Sequence, residues 1–151
     1  MKKLNAFTIM EVVVVMGILV AISLVILPFT ISQIEDARAE NQALSIASEL
    51  FSSQQDAYSG RNSSGYGVKL NSDSYVVFIG DTLAGASYSD TLTLPQGTSI
   101  TDITFTGGAS EVAFLSGSFR PNRTGSFRIN DGVSIYQVTL NAQGLISVDK
   151  I

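Results

Sequence analysis

The sequence predicts an α+β fold: one long N-terminal helix packed on an antiparallel β-sheet head. Three observations carry that expectation. Residues 12–31 hold twenty positions without a charge, diluted only by Gly17, Ser23, Pro28 and Thr30. An amphipathic pattern follows, and no further proline interrupts it before Ser59-Gly60. Beyond residue 65 the apolar spacing shortens to β-branched and aromatic runs, with glycine, asparagine and aspartate between them. The expected organisation is 1–6 as a leader, 7–31 as an apolar helix, 32–60 as an amphipathic helix and 61–151 as a β-rich head.

The apolar helix also accounts for the composition. Charged residues make up 15% of the 151-residue chain, against about 25% in soluble domains, and the mean hydropathy is +0.29. At roughly 1.5 Å per residue, the uncharged run covers about the 30 Å hydrocarbon core of a bilayer. Lys2 and Lys3 precede it, so the positive-inside rule keeps that end cytoplasmic and the head outside. The net charge of −4 and the pI of about 4.6 argue against wholesale attraction to nucleic acid. The absence of cysteine excludes a disulfide framework and a thiolate nucleophile, and the absence of histidine removes the commonest general base and metal ligand. No glycine-flanked serine forms a nucleophile elbow. No catalytic residue, cofactor site or metal site is expected.

Glu11 is the residue that calls for an explanation. Phe7, Thr8, Ile9 and Met10 precede it and four valines follow. A carboxylate in such surroundings costs about 2.5–3.5 kcal/mol on insertion scales, which makes it a functional candidate. A position at headgroup level would lower that cost, but would leave unexplained why the apolar stretch begins four residues earlier. An ordinary secretory signal peptide is the competing account, with Ala21-Ile22-Ser23 as a small-x-small cleavage pattern. Against it, the chain stays apolar from Leu24 to Ile31, where a cleavage region should turn polar.

Lys2-Lys3-Leu4-Asn5-Ala6 followed by Phe7-Thr8-Ile9-Met10-Glu11 and Val12 to Val15 resembles the processing segment of type IV prepilins and pseudopilins. The resemblance implies cleavage between Ala6 and Phe7 by a prepilin peptidase, then N-methylation of Phe7. Ala6 departs from the family's usual glycine before the cut, and alanine is still small. Glu11 matches the family's glutamate, implying subunit register: a neighbouring subunit's new amine would pair with its carboxylate, so that the two charges compensate each other. Pro28 falls where many members carry a helix-kinking proline, and any proline inside a helix removes one backbone hydrogen bond. The partners implied are other pilin or pseudopilin subunits, the peptidase and membrane lipid.

Past Pro28, Ile31, Ile34, Leu44, Ala47, Phe51 and Tyr58 recur at helical spacing and form the face expected to pack on the head, with glycine 60 as C-cap. Strands are expected over 66–70, 74–79, 91–94, 98–105, 111–115, 125–129, 133–140 and 145–148, the last three as a meander. The series Phe119-Arg120-Pro121-Asn122, Gly125-Ser126-Phe127-Arg128-Ile129 and Gly144-Leu145-Ile146 is similar to the C-terminal sheet of H-type minor pseudopilins.

Arg120, Arg123 and Arg128, with Phe119 and Phe127 nearby, are the candidate basic contact patch, and DNA uptake is one role of the pilus family. A solvated loop and strand face would look the same. Asp81, Asp90 and Asp102 could offer oxygen ligands, but they lack the dense spacing of a calcium loop and read as turn residues. The Asn62 and Asn122 sequons recur often by chance. A tethered binding or adhesion domain with an uncleaved anchor is the alternative function.

Overall fold

The computed structural model describes residues 8–151, and the side chains of 24–37 fall outside that description. The chain divides into two compact units between Glu35 and Asp36. Helical residues run as Ile9–Tyr58 (α1) across both. Among the described residues no helix is long and apolar enough to cross a membrane. The uncharged run continues through 24–31, outside the described side chains.

In the second unit, α1 packs on two antiparallel four-stranded sheets rather than one. The strands are Tyr66–Leu70 (β1), Ser74–Ile79 (β2), Tyr88–Thr93 (β3), Ser99–Thr101 (β4), Glu111–Phe114 (β5), Gly125–Asn130 (β6), Ile135–Leu140 (β7) and Ile146–Lys150 (β8). One sheet has the order β3-β2-β1-β5 and the other β4-β6-β7-β8. The expected meander is present, with Phe127 opposite Val138 and Val138 opposite Val148. Strict alternation in β6 and β7 turns Phe127, Ile129, Tyr136, Val138 and Leu140 inward. In β1 and β2 neighbouring residues are buried too, and Gly67 leaves space for the Phe78 ring, which a Cβ there would meet.

Two strand expectations need correction. The run 98–105 is not one strand: Asp102 takes a left-handed φ of 50°, which closes β4 after Thr101. Pairing with the β6 side then resumes through Thr104 N–H to the Ser126 carbonyl and Thr106 N–H to the Thr124 carbonyl, both 2.8 Å. The third strand begins at Tyr88, three residues before the expected 91, since pairing with Ile79, Phe78 and Val77 recruits the polar Tyr88, Ser89 and Asp90.

The helix face is a larger correction. The residues of α1 that enter the core are Ala39, Ala43, Ile46, Leu50 and Ala57, with Ser53 and Gln54 also buried. Leu44, Phe51 and Tyr58 lie about half exposed instead, and of that stripe only Ala47 packs partly on the core; Ile31 and Ile34 lie outside the described side chains. Alanines at 39, 43 and 57 let the helix approach the sheets closely, and close packing outweighs the larger apolar area of the neighbouring stripe. The helix ends where glycine was expected: Gly60 has φ 69° and its N–H reaches the Ala57 carbonyl at 3.0 Å.

Candidate functional site

The first candidate lies at the start of α1. The Thr8 hydroxyl accepts the Glu11 N–H at 3.3 Å, so Thr8 caps the helix and Glu11 occupies the third helical position. A carboxylate there is favoured by the unsatisfied amides of the first turn. Thr-x-x-Glu is the capping-box pattern, a signal present in the sequence that explains part of why a charge is tolerated at this position. Around it Ile9, Met10, Val12 to Val15, Met16, Ile18, Leu19, Val20 and Ile22 are all exposed, between 46% and 85%. A helix segment with so many apolar residues exposed buries little of this surface by itself. Ala6 and Phe7 lie outside the described residues, as do the surroundings of Pro28 on which the expected kink depends.

The three arginines do not form one free basic surface. Arg123 donates to the Glu111 backbone carbonyl at 3.1 Å and pairs with its carboxylate at 3.5 Å, on the edge of β5. Arg128, on β6, pairs with Asp102 at 2.8 Å and reaches Gln137 at 3.4 Å. Arg120 sits exposed in the loop between β5 and β6. Of the three candidate aspartates, Asp102 is held in that ion pair. Among the described residues, no cluster of three or more acidic side chains could hold a metal ion.

A second candidate, not expected from the sequence, is an apolar groove in the second unit. Its volume is about 930 Å³, and the exposed Leu44, Phe51, Phe119 and Leu145 line it together with Ala47 and Val148. Gln54 shapes its floor: the buried side-chain amide donates to the carbonyls of Phe119 at 2.7 Å and Gly144 at 2.9 Å. Tyr58 stacks on Phe119 with ring centroids 3.7 Å apart, and the Gly117 N–H caps the Ala57 carbonyl at 2.8 Å. The end of α1, the loop after β5 and the turn after β7 are therefore tied into one wall. Gly144 is required here, because its φ is +84° and a Cβ would meet the Gln54 amide and the Phe119 carbonyl.

Asp131 joins the β6–β7 turn to α1. Its carboxylate accepts N–H groups from Val133 at 3.0 Å and Ser134 at 2.8 Å, and from Ala39 at 3.1 Å. Burial opposes its charge, but the amides of Ser134, Val133 and Ala39 outweigh burial and hold its pKa below the ordinary carboxylate value.

No family model matches the sequence, and no curated protein matches it either. Two solved structures of the minor pseudopilin EpsH from the type 2 secretion system of Vibrio cholerae share its fold. One aligns at a TM-score of 0.55 with 17% identity, covering 75% of this chain and 97% of that one. The other aligns at 0.52 with 16% identity, covering 75% and 94%.

Proposed function

We propose that this chain is a minor pseudopilin, a non-catalytic subunit of a filament of the type II secretion or type IV pilus kind. One observation carries the reading: a head with the fold of a minor pseudopilin follows a processing-like segment ending in Phe7 and Glu11. In this account a prepilin peptidase cuts between Ala6 and Phe7, and Phe7 is then N-methylated. The apolar run 12–31 holds the subunit in the cytoplasmic membrane, with the head outside. During assembly the same run packs among the helices of neighbouring subunits, and Pro28 lets the helix bend. Glu11 receives the Phe7 amine of a neighbour and so sets register; pairing lowers the cost of placing either charge in apolar surroundings.

The paired state of Arg123 and Arg128 weakens the candidate DNA contact, since each would have to give up its carboxylate first. Subunit, peptidase and lipid contacts are the partners of the proposal.

The test is the N-terminal sequence and intact mass of the protein recovered from its own membranes. A chain beginning at Phe7 and carrying one methyl group is the expected result. Glu11→Ala should then abolish incorporation into filaments without changing the thermal unfolding of the head. An intact Met1 would make the chain a tethered binding domain, and a start near Leu24 would make it a secreted one; either overturns the proposal.

A further inference from the structure

We infer that the outer edge of β3 is a docking edge that takes an extended, basic peptide segment of another protein as an added strand. β3 closes one side of its sheet, and all but one of its six residues are exposed. The register fixes which backbone groups are free. The Leu94 N–H bonds the Asp73 carbonyl at 2.9 Å, and this bond lies on the same ladder as the pair Leu92–Tyr75. Antiparallel alternation then directs the amides of Asp90 and Leu92 toward β2, and those of Ser89, Thr91 and Thr93 away from it.

The other sheet edges are protected and this one is not. The outer edge of β5 is occupied: Asn122 gives its N–H to the Ala113 carbonyl at 2.8 Å and accepts the Ala113 N–H on its side chain at 2.9 Å, while Arg123 takes the Glu111 carbonyl. β4 has only three residues. β8 carries Lys150, the kind of charge that most discourages strand addition. β3 pairs over six consecutive residues without a bulge, and has neither lysine nor proline.

Charge selects the occupant. Between Lys69 and Arg120 the sequence contains no basic residue. Asp90 stands in the middle of β3, Asp73 adjoins its end through the Leu94 bond, and Asp81 follows the Ile79 that accepts the Ser87 N–H near its start. None of the three is in an ion pair among the described residues. A second copy of β3 would bring the same carboxylates together with no cation between them, so self-pairing is disfavoured. A strand with lysine or arginine at alternate positions gains both the ladder hydrogen bonds and the opposite charges.

The test uses the full chain in detergent micelles and a capped peptide of alternating lysine and valine, with alternating glutamate and valine as control. The lysine peptide should bind saturably, weaken with added salt, and slow amide exchange at Ser89, Thr91 and Thr93. Thr91→Pro removes an outward N–H and leaves the bonds to β2 in place, so affinity should fall about tenfold or more. Asp90→Lys, which keeps every backbone group, should weaken the lysine peptide and strengthen the glutamate one. Equal binding of both peptides, protection at another site, or unchanged affinity in Asp90→Lys would overturn the inference. None of these readouts depends on leader cleavage or filament assembly, so this edge and the pseudopilin reading can fail independently.

Discussion

Replacing Gln54 by leucine tests whether the wall of the groove is held by hydrogen bonding or by packing. Leucine has nearly the volume of glutamine, so the substitution removes two donors and leaves little cavity. The Gly144 carbonyl loses its partner in a buried setting, at about 2 kcal/mol, and the half-buried Phe119 carbonyl loses one at about 1 kcal/mol. The expected loss is about 3 kcal/mol, a large share of the 5–15 kcal/mol typical of a domain. For a unit of this size that corresponds to a fall in Tm of about 10–15 °C. Thermal unfolding of the full chain in micelles, followed by near-ultraviolet circular dichroism, isolates the head, because the first tyrosine is Tyr58. Gly144→Ala serves as a coupled control. Its Cβ would meet the Gln54 amide, so it should cost less in a Gln54→Ala background than alone. A loss below about 1 kcal/mol for Gln54→Leu would mean that groove water replaces the amide, and the reasoning would be wrong.

Two further predictions concern how α1 joins the head. Asp131 has a depressed folded pKa, so its contribution to stability is complete above the ordinary value of 3.8 and is lost as pH falls through the depressed value. Asp131→Asn should therefore destabilise the head at neutral pH and flatten the acid limb of its stability profile, measured by urea unfolding from neutral pH downward. The corrected helix face gives a contrast: Ile46→Ala should cost about 2–5 kcal/mol, whereas Phe51→Ser, on the exposed stripe, should stay within about 1 kcal/mol. Equal losses at the two sites, in the same urea titrations, would restore the face that the hydrophobic pattern favoured.

That contrast also marks how far the sequence could be read. Strands β1 and β2, the closing meander and the Gly60 cap follow from local chemistry: alternation, turn residues and a glycine free to adopt positive φ. Glu11 stood out because a charge among valines is costly wherever that stretch lies in apolar surroundings. Thr8 as its cap was equally legible in the residue order, as the first member of a Thr-x-x-Glu pattern.

What the tertiary structure decided are the choices that depend on distant partners. Side-chain size said Leu44, Phe51 and Tyr58 should be the inner face, yet the sheets selected the alanine stripe one step around the helix, because small residues let two surfaces approach. Gln54 gives no local sign that it bridges Phe119 and Gly144, 65 and 90 residues away. Two of the three arginines that looked like one patch, Arg123 and Arg128, are paired with Glu111 and Asp102, which only the strand arrangement brings near. The open edge of β3 is likewise a property of strand order, not of any residue in it. By itself the sequence determined where the helix and most of the strands lie, since helix period and turn chemistry act over a few residues. The face that packs, the edge that stays open and the charges that pair were left to the fold, because each requires residues that only three-dimensional packing makes neighbours.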